Sequence, residues 1–303
     1  MNKDVNFAAS ENTTLLPFLQ NAFPKESRNY VKGLLTRGQI RVNGKPQTHH
    51  AYPVNEGDTV TVSEKSRADI TAEKKAGLTV PILYEDDDII AVDKPHGMLS
   101  ISTEKEQERT AYHIITDYVK ERDRKNRIFV VHRLDRETSG VMIFAKTESV
   151  KTTLQDNWDD AVTHRGYAAV VEGRPEKDEG QIVSWLKQTK TLLVYSSKFE
   201  GEGKKAITNY KIVQSNKDFT LLDVNLETGR KNQIRVHMND ISHPVTGDKK
   251  YGAKSDPLKR TALHASKLTL IHPTTGKELT IKSQVPKGFM RVTGERGNVQ
   301  GDF

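Results

Sequence analysis

The nine residues HRLDRETSG (132–140) set one carboxylate, Asp135, between Arg133 and Arg136, with His132 and Glu137 close by. Two apolar runs bound the segment, RIFVV before it and VMIFAK after it. A lone Asp in a turn ordinarily accepts hydrogen bonds from nearby backbone. Flanking runs rich in β-branched and aromatic residues change that expectation, because strands on both sides hold the turn rigidly, as a loop that carries chemistry must be held. A carboxylate so placed can serve as a nucleophile or a general base if it stays ionised. A neighbouring guanidinium favours the ionised form. A second polar cluster, LETGRKNQIRVHM (226–238), offers Arg230, Lys231, Arg235 and His237 around an Ile-x-Val pattern. Read as a strand, QIRVH turns Ile234 and Val236 one way and Arg235 the other, where Arg235 can pair bidentately with a buried carboxylate.

Other constellations carry less. GEGKKA (201–206) has glycines before a lysine but lacks the four-residue spacer and the Ser/Thr of a phosphate loop, so no nucleotide cofactor is expected. His49-His50 and the pair His237 and His243 lack metal-ligand spacing, and no metal is expected. The absence of cysteine removes disulfides, thiolate metal sites and a cysteine nucleophile. The chain has 303 residues, 35% hydrophobic and 29% charged, which suits a chain with a packed core and room for two domains. A net charge of +7 fits a polyanionic partner as well as plain solubility. No apolar run reaches the length of a membrane span, and MNKDVNFAASENTT lacks the apolar centre of a signal peptide. A cytoplasmic monomer without membrane contact is expected.

Several elements must position these residues. Residues 1–12 read as polar and flexible. TTLLPFLQNAF reads as a short helix and PKESRNYVKGLLTRG as a second, with Ser27 as N-cap and Gly38 as its stop. GQIRVNGKPQ reads as a hairpin turning at Asn43-Gly44, and DTVTV as a further strand. This helix–helix–β-ribbon unit is expected over 13–63, with a charged linker over 64–77. From 78 to 290 the pattern predicts an α+β domain with a large mixed, mainly antiparallel sheet and flanking helices, because few helical stretches separate the later strands. One helix is expected at TAYHIITDYVKERDRKN and another near SVKTTLQDNW. Residues 291–303 read as a loose tail.

In the small unit the basic residues Arg28, Lys32, Arg37, Arg41 and Lys45 fall on the second helix and the hairpin. Arg28 and Lys32 share a helical face. GQIRVNGKPQTHHAYPVNEGDTVTV resembles the S4 domain, a small RNA-binding module. The first helix lacks the Arg-Leu-Asp triplet usual in that family, which shifts the expected phosphate contact to the second helix.

The larger unit resembles the RluA-type RNA pseudouridine synthases. HRLDRETSG is similar to their signature loop and DKPHGM (93–98) to their Lys-Pro-x-Gly turn. HRGYAAVVEG (164–173) resembles the segment with their active-site tyrosine, and TGRKNQIRVHM their third motif, followed by HPVTGDKKYG and LHASKLTLIHPTTGKEL. Asn232 stands where a His is usual before QIR. The resemblance implies isomerisation of uridine to pseudouridine in RNA, ribosomal more than transfer RNA, with no cofactor. It implies Asp135 as the catalytic carboxylate, Arg235 as its cationic partner and Tyr167 stacked on the uracil. Arg133 would enter the space left by an extruded base, and His132, Arg136, Arg230 and Lys231 would brace the loop or touch RNA. Thr138, Ser139 and Gly140 would shape the turn. Two competing readings remain at this level: an RNA-binding or ribosome-assembly factor without catalysis, and a hydrolase of the N-glycosidic bond, which ordinarily needs two carboxylates.

Overall fold

The computed structural model describes residues 4–36, 38–63, 80–102 and 109–294. They fall into two compact units, one before Val80 and one from Val80 onward. The expected linker and most of the expected tail lie outside the described residues.

The first unit carries β1 (Val5–Ala8), β2 (Thr13–Thr14), α1 (Leu15–Ala22), α2 (Arg28–Thr36), β3 (Ile40–Val42), β4 (Lys45–Pro46), β5 (Pro53–Val54) and β6 (Thr59–Val62). Ser27 caps α2, its Oγ accepting the Tyr30 N–H at 3.1 Å. Asn43 and Gly44 both adopt positive φ, 49° and 76°, and pair Val42 with Lys45 across a two-residue turn. Leu15, Leu19, Val31, Leu34, Leu35, Ile40 and Val60 form the buried core. The expectation for residues 1–12 is corrected: Val5–Ala8 pairs antiparallel with Thr59–Val62. Alternating Val5 and Phe7 suffice for an edge strand, and the Phe7 ring packs edge-on at 5.3 Å from Phe23.

The second unit is built on an eleven-stranded sheet. In chain order it contains β7 (Ile82–Glu85), β8 (Ile89–Lys94), α3 (Ala111–Arg122), β9 (Phe129–Val130), β10 (Ser139–Ala145), α4 (Glu148–Asp156), α5 (Trp158–Ala161) and β11 (Val162–Glu172). After these come β12 (Glu179–Gln188), β13 (Val194–Ser197), β14 (Lys204–Ser215), β15 (Phe219–Leu226), α6 (Gln233–Asp240), β16 (Leu263–Ile271), β17 (Glu278–Lys282) and α7 (Lys287–Thr293). The strand order is β13-β12-β14-β15-β11-β16-β10-β8-β7, with β17 beside β16 and β9 beside β10. Among the described residues the β10–β16 pair alone is parallel, and it joins two otherwise antiparallel halves through Ser139–His264 and Gly140–Ala265.

That seam explains Gly140. A Cβ there would lie 2.1 Å from the Ala265 carbonyl oxygen, and φ is +111°, so only glycine lets the two backbones meet. Two expectations are corrected here. QIRVHM is not a strand but the start of α6. Gln233 through Met238 are all buried, so burial on every side hides the helical period and leaves Ile-x-Val-x-Met to imitate a strand. The tail begins later than expected, because α7 seals the sheet with Phe289, 1% exposed, while the Gln214 side chain holds Met290 O and Thr293 Oγ1.

Candidate active site

The loop between β9 and β10 is fastened from beneath. Ser100 Oγ donates to Leu134 O at 2.7 Å and accepts the Leu134 N–H at 3.1 Å. Lys94 at the end of β8 is fully buried. Its amine donates to the carbonyls of Met98 (2.8 Å), Pro95 (3.0 Å) and Arg136 (3.4 Å), which ties the Lys-Pro-x-Gly turn to the loop. Burial pushes the Lys94 amine down to about 8. Gly97 N–H also donates to Arg136 O at 2.9 Å. His132 accepts the Ile143 N–H through Nε2 at 3.0 Å, and its ring lies 4.9 Å from that of Trp158. Burial, with a smaller push from Arg165, lowers His132 to about 4, so it stands neutral as a brace for the loop.

The loop then raises Asp135 into a cavity of about 580 Å³. Tyr167 and Arg165 enter from β11, where residues two apart share a face. Arg235, Asn232, Gln233 and Ile234 enter from the first turn of α6, and Arg230 and Lys231 from the segment before it. Leu134, Leu226, Ile234 and Leu263 supply apolar wall. The size and the mixture suit a nucleobase with its sugar.

Arg235 stands 3.9 Å from Asp135, Nη1 to Oδ2. Its bidentate partner is a different carboxylate: Nε and Nη2 reach Asp248 Oδ2 and Oδ1 at 2.5 and 2.8 Å. The pairing that the strand reading assigned to the catalytic acid is thus redirected to Asp248, whose side chain is 1% exposed. Asn232 explains its own presence before QIR. It adopts φ 55°, a conformation Asn tolerates, and turns its side chain into the site. Its Oδ1 accepts from Arg235 Nη1 at 3.2 Å, while Nδ2 donates to the Tyr251 hydroxyl at 2.9 Å.

Asp135 is a quarter exposed, and its carboxylate accepts no hydrogen bond from the described residues. Burial lifts its pKa above the ordinary aspartate value, opposed first by Arg235 and then by Arg133, Lys231 and Lys94. Burial also pushes the Tyr167 phenol up to about 12; Arg165 opposes this and Asp135 adds to it. Tyr167 therefore holds its proton at neutral pH.

Of the residues singled out from sequence, the cavity gathers Asp135, Tyr167, Arg235, His132, Arg133, Arg230 and Lys231. Arg133, Arg230 and Lys231 are exposed. Arg136 lies outside the lining and contributes its carbonyl to the loop's anchor. Arg28, Lys32, Arg41 and Lys45 are exposed on the first unit. Arg37 lies outside the described residues. His237 faces the Ser184 and Thr208 hydroxyls at 2.9 and 2.8 Å, and burial pushes it down to about 4.

Sequence reasoning missed Asp248, Tyr251 and Arg165. Arg165 was legible, since it stands two residues before Tyr167 on a strand. Its Nε donates to Leu226 O at 3.2 Å and Nη2 to Glu227 O at 2.5 Å, so it fixes the segment leading to Arg230. Asp248 lies in the HPVTGDKKYG stretch, but nothing local tied it to Arg235, because its partner lies on another element.

Comparison with known proteins identifies the family. Residues 88–240 match the family described as RNA pseudouridylate synthase, and residues 15–60 match the S4 domain. A protein of Aquifex aeolicus (strain VF5) named as an uncharacterized RNA pseudouridine synthase is 32% identical over 300 residues, covering 93% of each chain. The ribosomal large subunit pseudouridine synthase D of Yersinia pestis is 30% identical over 288 residues, 90% of this chain and 88% of its own. The solved structure of human RNA pseudouridylate synthase domain containing 4 shares the fold, with a TM-score of 0.59 and 21% identity over 73% of this chain and 93% of that one. The chain belongs to the RNA pseudouridine synthase family and is an RNA pseudouridine synthase with an N-terminal S4 domain.

Proposed function

We propose that the isomerisation takes place in the cavity around Asp135, without a cofactor, on uridine in ribosomal RNA. The observation that carries the reading is the lining itself. Among the described residues that line the cavity, Asp135 is the single acid, and it shares the cavity with Arg133, Arg165, Arg230, Lys231 and Arg235. Breaking the C1′–N1 bond, rotating the uracil and joining C5 to C1′ is redox-neutral and asks for one carboxylate, acting on C1′ as a nucleophile or on the C2′ proton as a base. Hydrolysis of the same bond ordinarily uses two carboxylates. The nearest second acid in the loop, Glu137, is outside the lining, with Oε2 3.0 Å from His96 Nε2.

The residues divide the work as follows. Asp135 acts as its anion, and Arg235 offsets the cost of holding that anion in the cavity. The Tyr167 ring offers a face to the uracil, and its protonated hydroxyl serves as a hydrogen-bond donor, which weighs against a phenolate base in the free protein. A uridine within a helix must be extruded at roughly a few kcal/mol of unstacking, and exposed Arg133 at the mouth suits the vacated space. Arg28, Lys32, Arg41 and Lys45 give the S4 domain a charge complement to phosphate. Ribosomal RNA is favoured by relatives named ribosomal large subunit pseudouridine synthase D. A cytoplasmic monomer fits such a substrate.

Chemical mapping of pseudouridine in RNA from cells with and without the gene tests this reading. Loss of at least one site in large-subunit ribosomal RNA is expected. Loss confined to transfer RNA overturns the substrate, and retention of every site overturns the activity.

A further inference from the structure

The cavity around Asp135 extends past the groups that the reaction uses. Beyond Val131 and His132 its wall continues to Gln155 on α4 and to Trp158, the first residue of α5. Neither helix carries a residue assigned to the chemistry.

Trp158 is held from several directions. Its ring lies 4.9 Å from that of His132, with 32° between the planes, and His132 is itself pinned by the Ile143 N–H. Its apolar body packs on the cluster that holds Val131, Leu154 and Val162. The next residue, Asp159, reaches Arg165 Nη1 at 3.5 Å, and Arg165 is anchored on the carbonyls of Leu226 and Glu227. A tryptophan that served the core alone would be fully covered, with its N–H paired. Trp158 is partly exposed and lines the cavity, and its Nε1–H has no acceptor among the described residues.

Gln155 complements it. Its Nε2 donates to Val130 O and to Val131 O, both at 3.1 Å, and two carbonyl partners fix which way the amide points. Oε1 is left as an unused acceptor. The wall therefore offers an aromatic ring, a free donor and a free acceptor, the groups with which proteins stack an unpaired base and read its edge. His132 and Asp135 are three residues apart on one loop, at most about 11 Å. Tyr167 and Asp135 claim the target uracil, so the indole flanks the reacting nucleotide.

We propose that Trp158, with Gln155 beside it, forms a second base-binding subsite of the cavity, which stacks a nucleotide next to the target uridine and favours a purine there. This rests on the reading of the cavity as the place of isomerisation. The preference follows from ring area, since an indole overlaps a two-ring base over more surface than a pyrimidine. A grip on a neighbour outside the reacting ring strengthens ground state and transition state alike, so its loss appears in KM and not in kcat.

The chain has two tryptophans, and Trp185 lies on β12, outside the cavity lining. Trp185→Phe thus leaves Trp158 as the one indole. In the full chain carrying Trp185→Phe and Asp135→Asn, saturation with an unmodified large-subunit ribosomal RNA transcript is expected to quench Trp158 emission and to shield it from acrylamide. Emission and acrylamide access that stay unchanged at saturation overturn the proposal. This readout keeps Trp158 in place, so it stands even where a substitution at that position fails to fold. In steady-state kinetics, Trp158→Ala is expected to raise KM about tenfold with kcat per folded molecule little changed, and Trp158→Phe to recover most of the loss. An unchanged KM, or a fall in kcat alone, overturns the proposal. In a short fragment of the transcript around the target uridine, removing the base of one neighbour is expected to raise the parent's KM by the same factor and to leave that of Trp158→Ala where it was. Losses that simply add show that the two groups do not meet and overturn the proposal. At that neighbour a purine is expected to give a lower KM than a pyrimidine, and equal values overturn the preference. Quenching by RNA in a protein whose parent makes no pseudouridine would instead count against the reading of the cavity.

Discussion

Two aspartates in the sheet unit, Asp86 and Asp135, sit in loops beside strands and behave oppositely. At the turn between β7 and β8, Asp86 accepts the N–H groups of Asp88 and Ile89 on one oxygen, at 2.9 and 2.8 Å. On the other it accepts the Tyr84 hydroxyl at 2.6 Å and His272 Nε2 at 2.8 Å. Burial pushes Asp86 upward but is outweighed by these four donors, and its pKa falls below the ordinary value. Glu85 beside it is lowered in the same way, burial losing to Lys146, Tyr118 and Arg122. Asp135 has cations nearby and no donor in contact, and burial wins. A saturated carboxylate is scaffold, whereas an unsaturated one at the edge of a cavity is available for chemistry.

The same comparison disposes of a tempting metal site. Asp86, Asp88 and His272 bring one ligand atom each within 4.8 Å of one another. The His272 Nδ1 faces the N–H groups of Thr274 and Thr275 at 3.3 and 3.2 Å, so by the hydrogen-bond network its proton sits on Nε2 and is donated to Asp86. A protonated Nε2 cannot ligate.

The strongest way to break the comparison is Asp135→Asn. We expect pseudouridine formation to fall by at least about 10³-fold, equivalent to about 4 kcal/mol of barrier, with no loss of melting temperature. A variant that keeps a tenth of the activity would end the distinction. Next is Gly140→Ala, where the new methyl meets the Ala265 carbonyl at the parallel seam. Denaturant unfolding should show a loss of about 3–4 kcal/mol, since neither backbone can yield without parting the two halves. Asp86→Asn should cost about 2 kcal/mol of stability while turnover per folded molecule stays near the parent value, the reverse of Asp135→Asn.

Acid titration of stability sharpens the contrast. Glu85 and Asp86 have depressed folded pKa values. Their contribution is complete above the unfolded values, about 4.3 and 3.9, and is lost as pH falls through the folded ones. Asp135 is raised, so its ionisation costs stability as pH climbs from the unfolded value through the folded one. Asp86→Asn should therefore flatten the acid limb of the stability curve, and Asp135→Asn should gain stability at neutral pH. The smallest effect belongs to the S4 face. Lys32→Ala should weaken RNA binding a few-fold and reduce the logarithmic salt slope by about 1, with kcat unchanged. An unaltered slope would remove Lys32 from the phosphate contacts.

What the sequence made legible follows from range. The S4 hairpin, the N-cap at Ser27 and the signature loop depend on neighbours within a few residues, and motif spacing sufficed for them. Edge strand β1 escaped because four residues of modest apolarity become a strand only against a partner more than fifty positions away. Helix α6 escaped because its burial is uniform. The division of Arg235 between two acids escaped because Asp135 and Asp248 are equivalent on paper, and only the fold decides which takes the fork.

The amine of Lys94, sealed beneath the signature loop and shared among three carbonyls, gives this enzyme an internal reporter. Amine-selective acylating reagents will label surface lysines at once and reach this one only when the loop lifts. The lag before Lys94 reacts, followed by mass spectrometry with and without RNA, therefore times the opening of the site directly.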